Sequence, residues 1–104
     1  MDIFQTVSNI GIIPVIAIED AAKAVPLAKA LTAGGLPAAE ITFRTAAGEE
    51  AIRRIARDCP EVLVGAGTVL NLDQCGRALD AGAKFIVSPG YNESLVNDCV
   101  KKDI

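Results

Sequence analysis

Four short apolar runs alternate along the chain with longer segments whose apolar residues recur at helical spacing. The runs begin near Ile12, Ala38, Val62 and Phe85, and consecutive starts lie about 24 residues apart, as in repeated strand and helix units. Strands that alternate with helices are typical of a parallel sheet with crossover helices. We therefore predict an α/β fold with four parallel β/α units, and the regular spacing favours a barrel over an open sheet.

Capping residues and helix breakers mark the ends of the helical segments. Asn71 and Asn92 can cap the helices that follow them, Gly82 ends the helix that Asn71 begins, and Pro60 ends another. The predicted helices are a short N-terminal one at 3–7, then 20–32 with Pro26 near its start, 48–58, 72–81 and 93–102. Apolar stripes predict that two of these helices face the core with Ile52, Ile55, Ala56 and Cys59, and with Leu95, Val96, Cys99 and Val100.

The second apolar run also carries charged and polar residues. Successive side chains of a strand point to opposite faces, so Glu40, Thr42 and Arg44 should share one face. Ala39, Ile41 and Phe43 would then share the other face and pack under helices. A carboxylate, a hydroxyl and a guanidinium on one side of a strand require a polar cavity or a ligand. This face is therefore the candidate functional site.

Composition and charge exclude several classes of protein. Half of the residues, 51%, are apolar and the mean hydropathy is +0.37, which indicates a packed globular core within one domain of 104 residues. The net charge of −3 and the lack of a basic cluster argue against a nucleic-acid partner. The N-terminus lacks a basic region and the apolar run at 10–18 is too short to span a bilayer, so we expect no membrane association and a cytoplasmic protein.

Cysteine and histidine usage narrows the chemistry. Cys59, Cys75 and Cys99 are odd in number and contain no C-x-x-C pair, so we expect buried free thiols rather than a disulfide, a metal ligand or a nucleophile. The chain has no histidine, which excludes histidine-based triads and makes a metal site improbable. Proton transfer would fall to carboxylates, lysines, Tyr91 or water.

Two further signals follow the third and fourth runs. Gly65, Gly67 and Thr68 form a predicted turn, where glycines let backbone amides approach an anion and the next helix adds a favourable dipole. Leu70 occupies the place of the third glycine of a dinucleotide-binding fingerprint, so that motif is not matched. The segment Ser88-Pro89-Gly90 follows the fourth run. In a barrel these segments would lie at the carboxyl ends of the strands, where such enzymes hold their active sites.

Together these residues resemble the 2-keto-3-deoxy-6-phosphogluconate (KDPG) and 4-hydroxy-2-oxoglutarate (KHG) aldolases. The matching segments are Glu40-Ile41-Thr42-Phe43-Arg44-Thr45, Gly65-Ala66-Gly67-Thr68-Val69-Leu70 and Ser88-Pro89-Gly90, with similarity also at 13–16 and 28–35. The resemblance covers the whole chain but only about the first half of the family's barrel. It implies a class I aldolase without a cofactor, which cleaves the phosphorylated keto-acid to pyruvate and glyceraldehyde 3-phosphate through a lysine Schiff base.

The resemblance also implies roles for individual residues. Glu40 would be the general acid and base, and Arg44 would bind the keto-acid carboxylate, since its planar guanidinium suits bidentate pairing. Thr68 and the backbone near Pro89 would complete that pocket. Gly65, Gly67 and Gly90 would be supporting turn residues, although turn geometry alone can also require them.

The family's Schiff-base lysine lies on its sixth strand and its phosphate-binding glycines on the seventh and eighth. Residues 1–104 would therefore be a single domain, the N-terminal half of a (β/α)8 barrel, preceded by a short helix. Lys84, just before the fourth run, would lie at the opposite end from the rim, and the other lysines fall on helices. An isolated half-barrel leaves two exposed sheet edges. We therefore expect a homo-oligomer, which the resemblance implies to be a trimer, with a small keto-acid as the substrate.

Two other functions stay open at this point. The absent lysine is consistent with a half-barrel that pairs with itself or with another half, and that binds a keto-acid without turnover. Another phosphate-handling barrel, such as a sugar-phosphate decarboxylase or isomerase, would normally carry Asp and Lys pairs on early strand ends. Here Glu40 and Arg44 occupy those positions.

Overall fold

The computed structural model describes residues 2–104 and contains one parallel sheet packed against helices. The elements, in chain order, are α1 (Ile3–Ile10), β1 (Val15–Ile16), a 3-10 turn (Ala21–Lys23), α2 (Ala24–Ala33), β2 (Ala38–Thr42), α3 (Gly48–Asp58), β3 (Leu63–Gly67), α4 (Leu72–Asp80) and α5 (Glu93–Lys101). The predicted α/β class with parallel strands is thus confirmed.

The sheet has the spatial order β1, β2, β3, with β2 in the centre. Val15 pairs with Glu40 on one side of β2, and Glu40 pairs with Gly65 on the other side. At the carboxyl end of β2, Thr42 pairs with Gly67. Because all neighbours are parallel and connected through helices, the carboxyl ends of the strands lie at one edge of the sheet.

The prediction of a fourth strand is not confirmed within residues 2–104, because the fourth run forms only an isolated bridge between Ala66 and Ile86. The run still follows β3, since the Ala66 amide donates to the Phe85 carbonyl at 3.0 Å and the Val87 amide donates to the Ala66 carbonyl at 2.8 Å. The run has a pairing partner on one side only, and Pro89 soon ends it. These conditions explain the incomplete ladder.

The first strand is also shorter than its apolar run, since β1 has two residues. Pro14 has no amide hydrogen to donate, and its carbonyl instead accepts the Glu40 amide at 2.9 Å. Asp20 caps the 3-10 turn by accepting the Ala22 amide, and α2 begins at Ala24. Pro26 therefore lies in the first turn of α2, where amides have no intrahelical partner.

The other helices lie close to their predicted positions. Helix α3 matches its predicted bounds, α1 extends to Ile10, and α4 and α5 each end one residue earlier than predicted. Both asparagine caps are confirmed, with Asn71 accepting the Gln74 amide at 2.8 Å and Asn92 accepting the Leu95 amide at 3.1 Å.

The hydrophobic core lies between the sheet and helices α2 and α3. One sheet face contributes the buried side chains of Ala39, Ile41, Val64 and Ala66, and α3 contributes Ala51, Ile52, Ile55 and the following Cys59. The predicted stripe of α3 is confirmed apart from Ala56, which is only partly buried. We call this side of the sheet the outer face.

Helix α5 departs from its predicted stripe. Leu95 and Cys99 are buried, but Val96 is exposed and Val100 is 70% exposed. These two valines face an apolar groove between α1, the fourth run and α5 instead of a packed core. Within residues 2–104, no helix is both long enough and apolar enough to cross a membrane.

Candidate functional site

The opposite side of the sheet, which we call the inner face, carries Glu40 and Thr42 of β2 beside Gly65 and Gly67 of β3. The pairing of Glu40 with Gly65 and of Thr42 with Gly67 places these four residues on one face of the parallel sheet. Glu40 is only 9% exposed and Thr42 is fully buried. The predicted shared face of Glu40 and Thr42 is therefore confirmed.

The two glycines of β3 make room for larger side chains on the inner face. A Cβ atom at Gly67 would collide with the Glu40 carboxylate, and a Cβ atom at Gly65 would collide with the Phe85 ring. Both glycines lie inside β3 rather than in the turn where the sequence placed them. Close approach of neighbouring side chains, and not turn geometry, is thus the structural reason for these glycines.

Glu40 has an unusual environment for a carboxylate. Burial raises its pKa above the ordinary glutamate value, and the positive charge of Arg44 partly opposes that rise. Within residues 2–104 its carboxyl forms no side-chain hydrogen bond and no ion pair. A carboxyl with a raised pKa and no side-chain partner in the described chain is suited to donating and accepting protons.

Arg44 does not lie on the strand with Glu40 as predicted. Strand β2 ends at Thr42, and Arg44 is exposed in the turn that leads to α3. The turn is held by the Thr45 hydroxyl, which donates to the Ile18 carbonyl at 2.6 Å. The guanidinium is close enough to lower the pKa of Glu40, and it forms no ion pair within the described chain.

The remaining predicted site residues follow β3 and the fourth run. Thr68 is half-buried with φ 55°, a left-handed conformation that β-branched residues rarely adopt. The Val69 amide donates to the Val87 carbonyl at 3.1 Å, which places the segment after β3 beside the end of the fourth run. Pro89 and Gly90 follow directly and are exposed. These residues therefore lie towards the carboxyl edge of the sheet.

No lysine of residues 2–104 lies at this edge. The Lys84 amide donates to the Val64 carbonyl at 2.8 Å, so Lys84 lies at the amino end of β3, as predicted. All five lysines are exposed, and the other four lie on or beside helices: Lys23, Lys29, Lys101 and Lys102. In the same part of the chain, no group of three potential metal ligands comes together.

Sequence reasoning missed two features of the inner face. The buried Thr42 hydroxyl has no hydrogen-bond partner in the described chain, and the Phe85 ring packs over Gly65. Strand alternation assigned Thr42 to the polar face but carried no information on what would pair with it. The Phe85 contact depends on tertiary packing between β3 and the fourth run.

Comparisons with known proteins agree with these motifs. A family model described as KDPG and KHG aldolase matches residues 3–104. The chain is 47% identical over 98 residues to a 2-dehydro-3-deoxy-phosphogluconate aldolase of Treponema pallidum (strain Nichols), covering 94% of this chain and 47% of the relative. The chain thus spans about half the length of the curated relatives it matches.

Solved structures give the same picture. A 2-keto-3-deoxy-6-phospho-gluconate aldolase from Zymomonas mobilis ATCC 29191 superposes with a TM-score of 0.89 at 43% identity, covering 98% of this chain and 49% of that protein. A KDPG aldolase from Legionella pneumophila, with pyruvate captured as a covalent carbinolamine, superposes with a TM-score of 0.81 at 40% identity, covering 86% and 43%.

Proposed function

Because the chain belongs to the KDPG and KHG aldolase family, we propose that it contributes the acid–base and carboxylate-binding part of a class I aldolase. The whole enzyme would cleave 2-keto-3-deoxy-6-phosphogluconate to pyruvate and glyceraldehyde 3-phosphate through a lysine Schiff base. The observation that carries this proposal is the buried Glu40 carboxyl, which has no ion-pair partner within residues 2–104 and whose pKa is raised by burial.

Glu40 would move protons at several stages of the reaction. As an acid it would protonate the carbinolamine hydroxyl, which leaves as water when the Schiff base forms. As a base it would accept the proton of the substrate hydroxyl while the carbon–carbon bond breaks and its electrons pass to the enamine. It would then return a proton to the enamine carbon. A pKa raised above the ordinary glutamate value supports both directions of transfer.

The carboxylate of the keto-acid would bind between Arg44, Thr68 and the backbone at Pro89. The Arg44 guanidinium has no ion-pair partner within residues 2–104, so it can bind an anion without first breaking a pair. Gly67 supports this arrangement, because its lack of a side chain lets the Glu40 carboxylate lie over β3. Gly65 and Gly90 would have supporting roles.

We also propose that residues 1–104 form the N-terminal half of a (β/α)8 barrel as one domain. The three strands and the bridge at Ile86 leave the β1 edge and the fourth-run edge without neighbours in the described chain. Further strands would pair with these edges and would bring the lysine. The assembly would be a homo-oligomer, and a trimer by family resemblance. Three free cysteines are consistent with a cytoplasmic location.

A second candidate function is a half-barrel assembly module that binds a keto-acid without turnover. It is favoured by one observation, namely that no lysine of residues 2–104 lies at the carboxyl edge of the sheet. Such a module would gain thermal stability from pyruvate, since a ligand that binds only the folded state stabilises it. It would not release pyruvate from the phosphorylated keto-acid under any condition.

The experiment that tests the first function joins residues 1–104 to the C-terminal half of the Treponema pallidum relative. We expect the chimera to form pyruvate and to trap pyruvate with borohydride, as detected by intact mass. Glu40→Gln should lower the rate of cleavage by about 10²–10⁴-fold, the usual contribution of a general acid–base.

The matched control is Glu49→Gln, since Glu49 lies on the outer side of α3 and pairs with arginines. It should leave the rate nearly unchanged. Full activity of the Glu40→Gln chimera would contradict the assigned role. Pyruvate binding by residues 1–104 combined with a folded but inactive chimera would favour the assembly module.

A further inference from the structure

Two of the three thiols meet between α4 and α5. The Cys75 and Cys99 sulfur atoms lie 3.6 Å apart although the residues are 24 positions apart in sequence. A disulfide bond is about 2.05 Å long, so closing it would require the sulfurs to approach by about 1.5 Å. Cys59, just after α3, has no sulfur partner within residues 2–104.

The two thiols differ in their access to solvent. Cys75 is fully buried, whereas Cys99 is 9% exposed. Cys99 also lines the apolar groove between α1, the fourth run and α5, a cavity of about 520 Å³ that Leu95 and Val96 also line. A small uncharged oxidant can therefore reach Cys99 first, while Cys75 can react only with the sulfur of Cys99.

We propose that Cys75 and Cys99 form an oxidisable dithiol, a modification site at which a peroxide converts the two thiols to an intramolecular disulfide that links α4 to α5. The Cys99 thiolate attacks one peroxide oxygen, the O–O bond breaks, and a sulfenic acid and hydroxide form. The Cys75 thiolate then attacks the Cys99 sulfur, the S–O bond breaks, and hydroxide leaves. The two thiols lose two electrons and two protons, and the peroxide is reduced to two waters.

The environment of the pair sets the rate of this reaction. Burial, together with the hydrogen bond to Cys99, raises the pKa of Cys75 to about 11. The nearby charges are Asp98, which raises this pKa further, and Lys102, which lowers it, and these two residues form an ion pair at 2.8 Å. Because the Cys75 thiolate is the form that attacks the Cys99 sulfur, we expect the closing of the disulfide to be slow at neutral pH and its rate to rise about tenfold per pH unit in mildly alkaline solution.

The test treats the 104-residue chain with hydrogen peroxide at mildly alkaline pH and follows intact mass and peptide mapping. We expect a monomer lighter by two hydrogen atoms, with one peptide link between Cys75 and Cys99 and a free Cys59. Cys59→Ser should give the same product. Oxidation of the chain in denaturant should instead give a mixture of the three possible pairings of Cys59, Cys75 and Cys99.

Stability gives a second readout. The link would restrict the unfolded chain, so the oxidised chain should melt about 10 °C higher than the reduced chain, and dithiothreitol should reverse this shift. Linked dimers, a link through Cys59, or sulfinic acid at Cys99 without a link would overturn the proposal. An unchanged native chain that oxidises only in denaturant would overturn it as well.

Discussion

The outer and inner faces of the sheet share the same strands but differ in how their polar groups are paired. On the outer side, Glu49 of α3 forms ion pairs with Arg53 at 3.0 Å and with Arg77 at 2.6 Å. On the inner face, Glu40 has no such pair in the described chain. Hydrogen bonds from Arg53 and Arg77 lower the pKa of Glu49, whereas burial raises the pKa of Glu40.

This difference indicates that the outer face stabilises the fold, whereas the inner face has polar groups that are available to bind a ligand. The outer face is closed by apolar packing, and its nearest charges are neutralised by neighbours on the same or an adjacent helix. Within residues 2–104, the inner face keeps a carboxyl and a buried hydroxyl that have no hydrogen-bond partner, together with two glycines that make room for neighbouring side chains. Perturbed and unpaired groups of this kind cluster at functional sites.

The largest expected effect belongs to the outer face. Ile55→Ala removes a fully buried side chain of α3 and leaves a cavity against the sheet. We expect the free energy of unfolding to fall by about 2–5 kcal/mol, measured by urea denaturation. Arg57→Ala, on the exposed side of the same helix, should change it by less than about 0.5 kcal/mol. Similar losses for both variants would contradict the assigned core.

A smaller effect is expected where the inner face meets the fourth run. Gly65→Ala places a methyl group where the Phe85 ring now lies, so the ring must move. We expect a loss of about 1–3 kcal/mol in the free energy of unfolding. Gly90→Ala is the matched control, because within residues 2–104 no atom beyond the two chain neighbours lies within 4 Å of a Cβ at that position. Equal stability of the two variants would show that the ring does not occupy this place.

Removal of the buried Thr42 hydroxyl should change the free energy of unfolding in the opposite direction. Thr42→Val removes a buried oxygen that has no partner within residues 2–104, so it should leave the free energy of unfolding unchanged or raise it by up to about 1 kcal/mol. Thr45→Val breaks a 2.6 Å hydrogen bond to the Ile18 carbonyl and should lower that free energy by about 1 kcal/mol. If Thr42→Val lowered the free energy of unfolding, the Thr42 hydroxyl would have a hydrogen-bond partner in solution.

The smallest expected effect is the pH dependence of the free energy of unfolding that comes from Glu40 and Glu49. In each case one carboxyl titrates, and the main cause of its pKa shift is partly opposed by another interaction. The folded pKa of Glu40 is raised above 4.5, so the native state holds more protons once the pH exceeds that value. Its contribution to the free energy of unfolding therefore falls as pH rises through the folded pKa. Subtracting the pH profile of Glu40→Gln from that of the unmodified chain should reveal this fall.

Glu49→Gln supplies the contrast for the same measurement. The folded pKa of Glu49 lies below 4.5, so its contribution is present above that pH and is lost as pH falls through the folded pKa. The two difference profiles should therefore slope in opposite directions. Parallel profiles would mean that Glu40 is as well solvated or paired as Glu49.

Local sequence patterns correctly predicted those helices and strand faces whose structure depends on residues close in sequence. The apolar spacing around Ile52 and Ile55, with Pro60 as the stop, predicted α3 with its correct bounds, and Asn71 and Asn92 cap the helices that they were expected to cap. Strand alternation placed Glu40 and Thr42 on one face. In each case the deciding interactions span only a few residues, so they can be read from the sequence.

Local patterns failed where a partner distant in sequence decides the outcome. The run at Phe85 has strand-like composition but forms a single bridge within residues 2–104, because the described chain gives it a neighbour on one side alone. Arg44 continues the alternation of β2, yet the strand ends at Thr42 and the turn is fixed by the Ile18 carbonyl. The exposure of Val100 likewise depends on the groove beside α5.

The sequence by itself determined the α/β class, the helices and the set of residues shared with the aldolase family, because periodicity, capping and motif order are local properties. Only the tertiary structure decided that a Cβ at Gly67 would displace the Glu40 carboxylate, that Thr42 is buried without a partner in the described chain, and that Cys75 meets Cys99. These features arise from packing between segments far apart in sequence, and no local pattern encodes the distance between them.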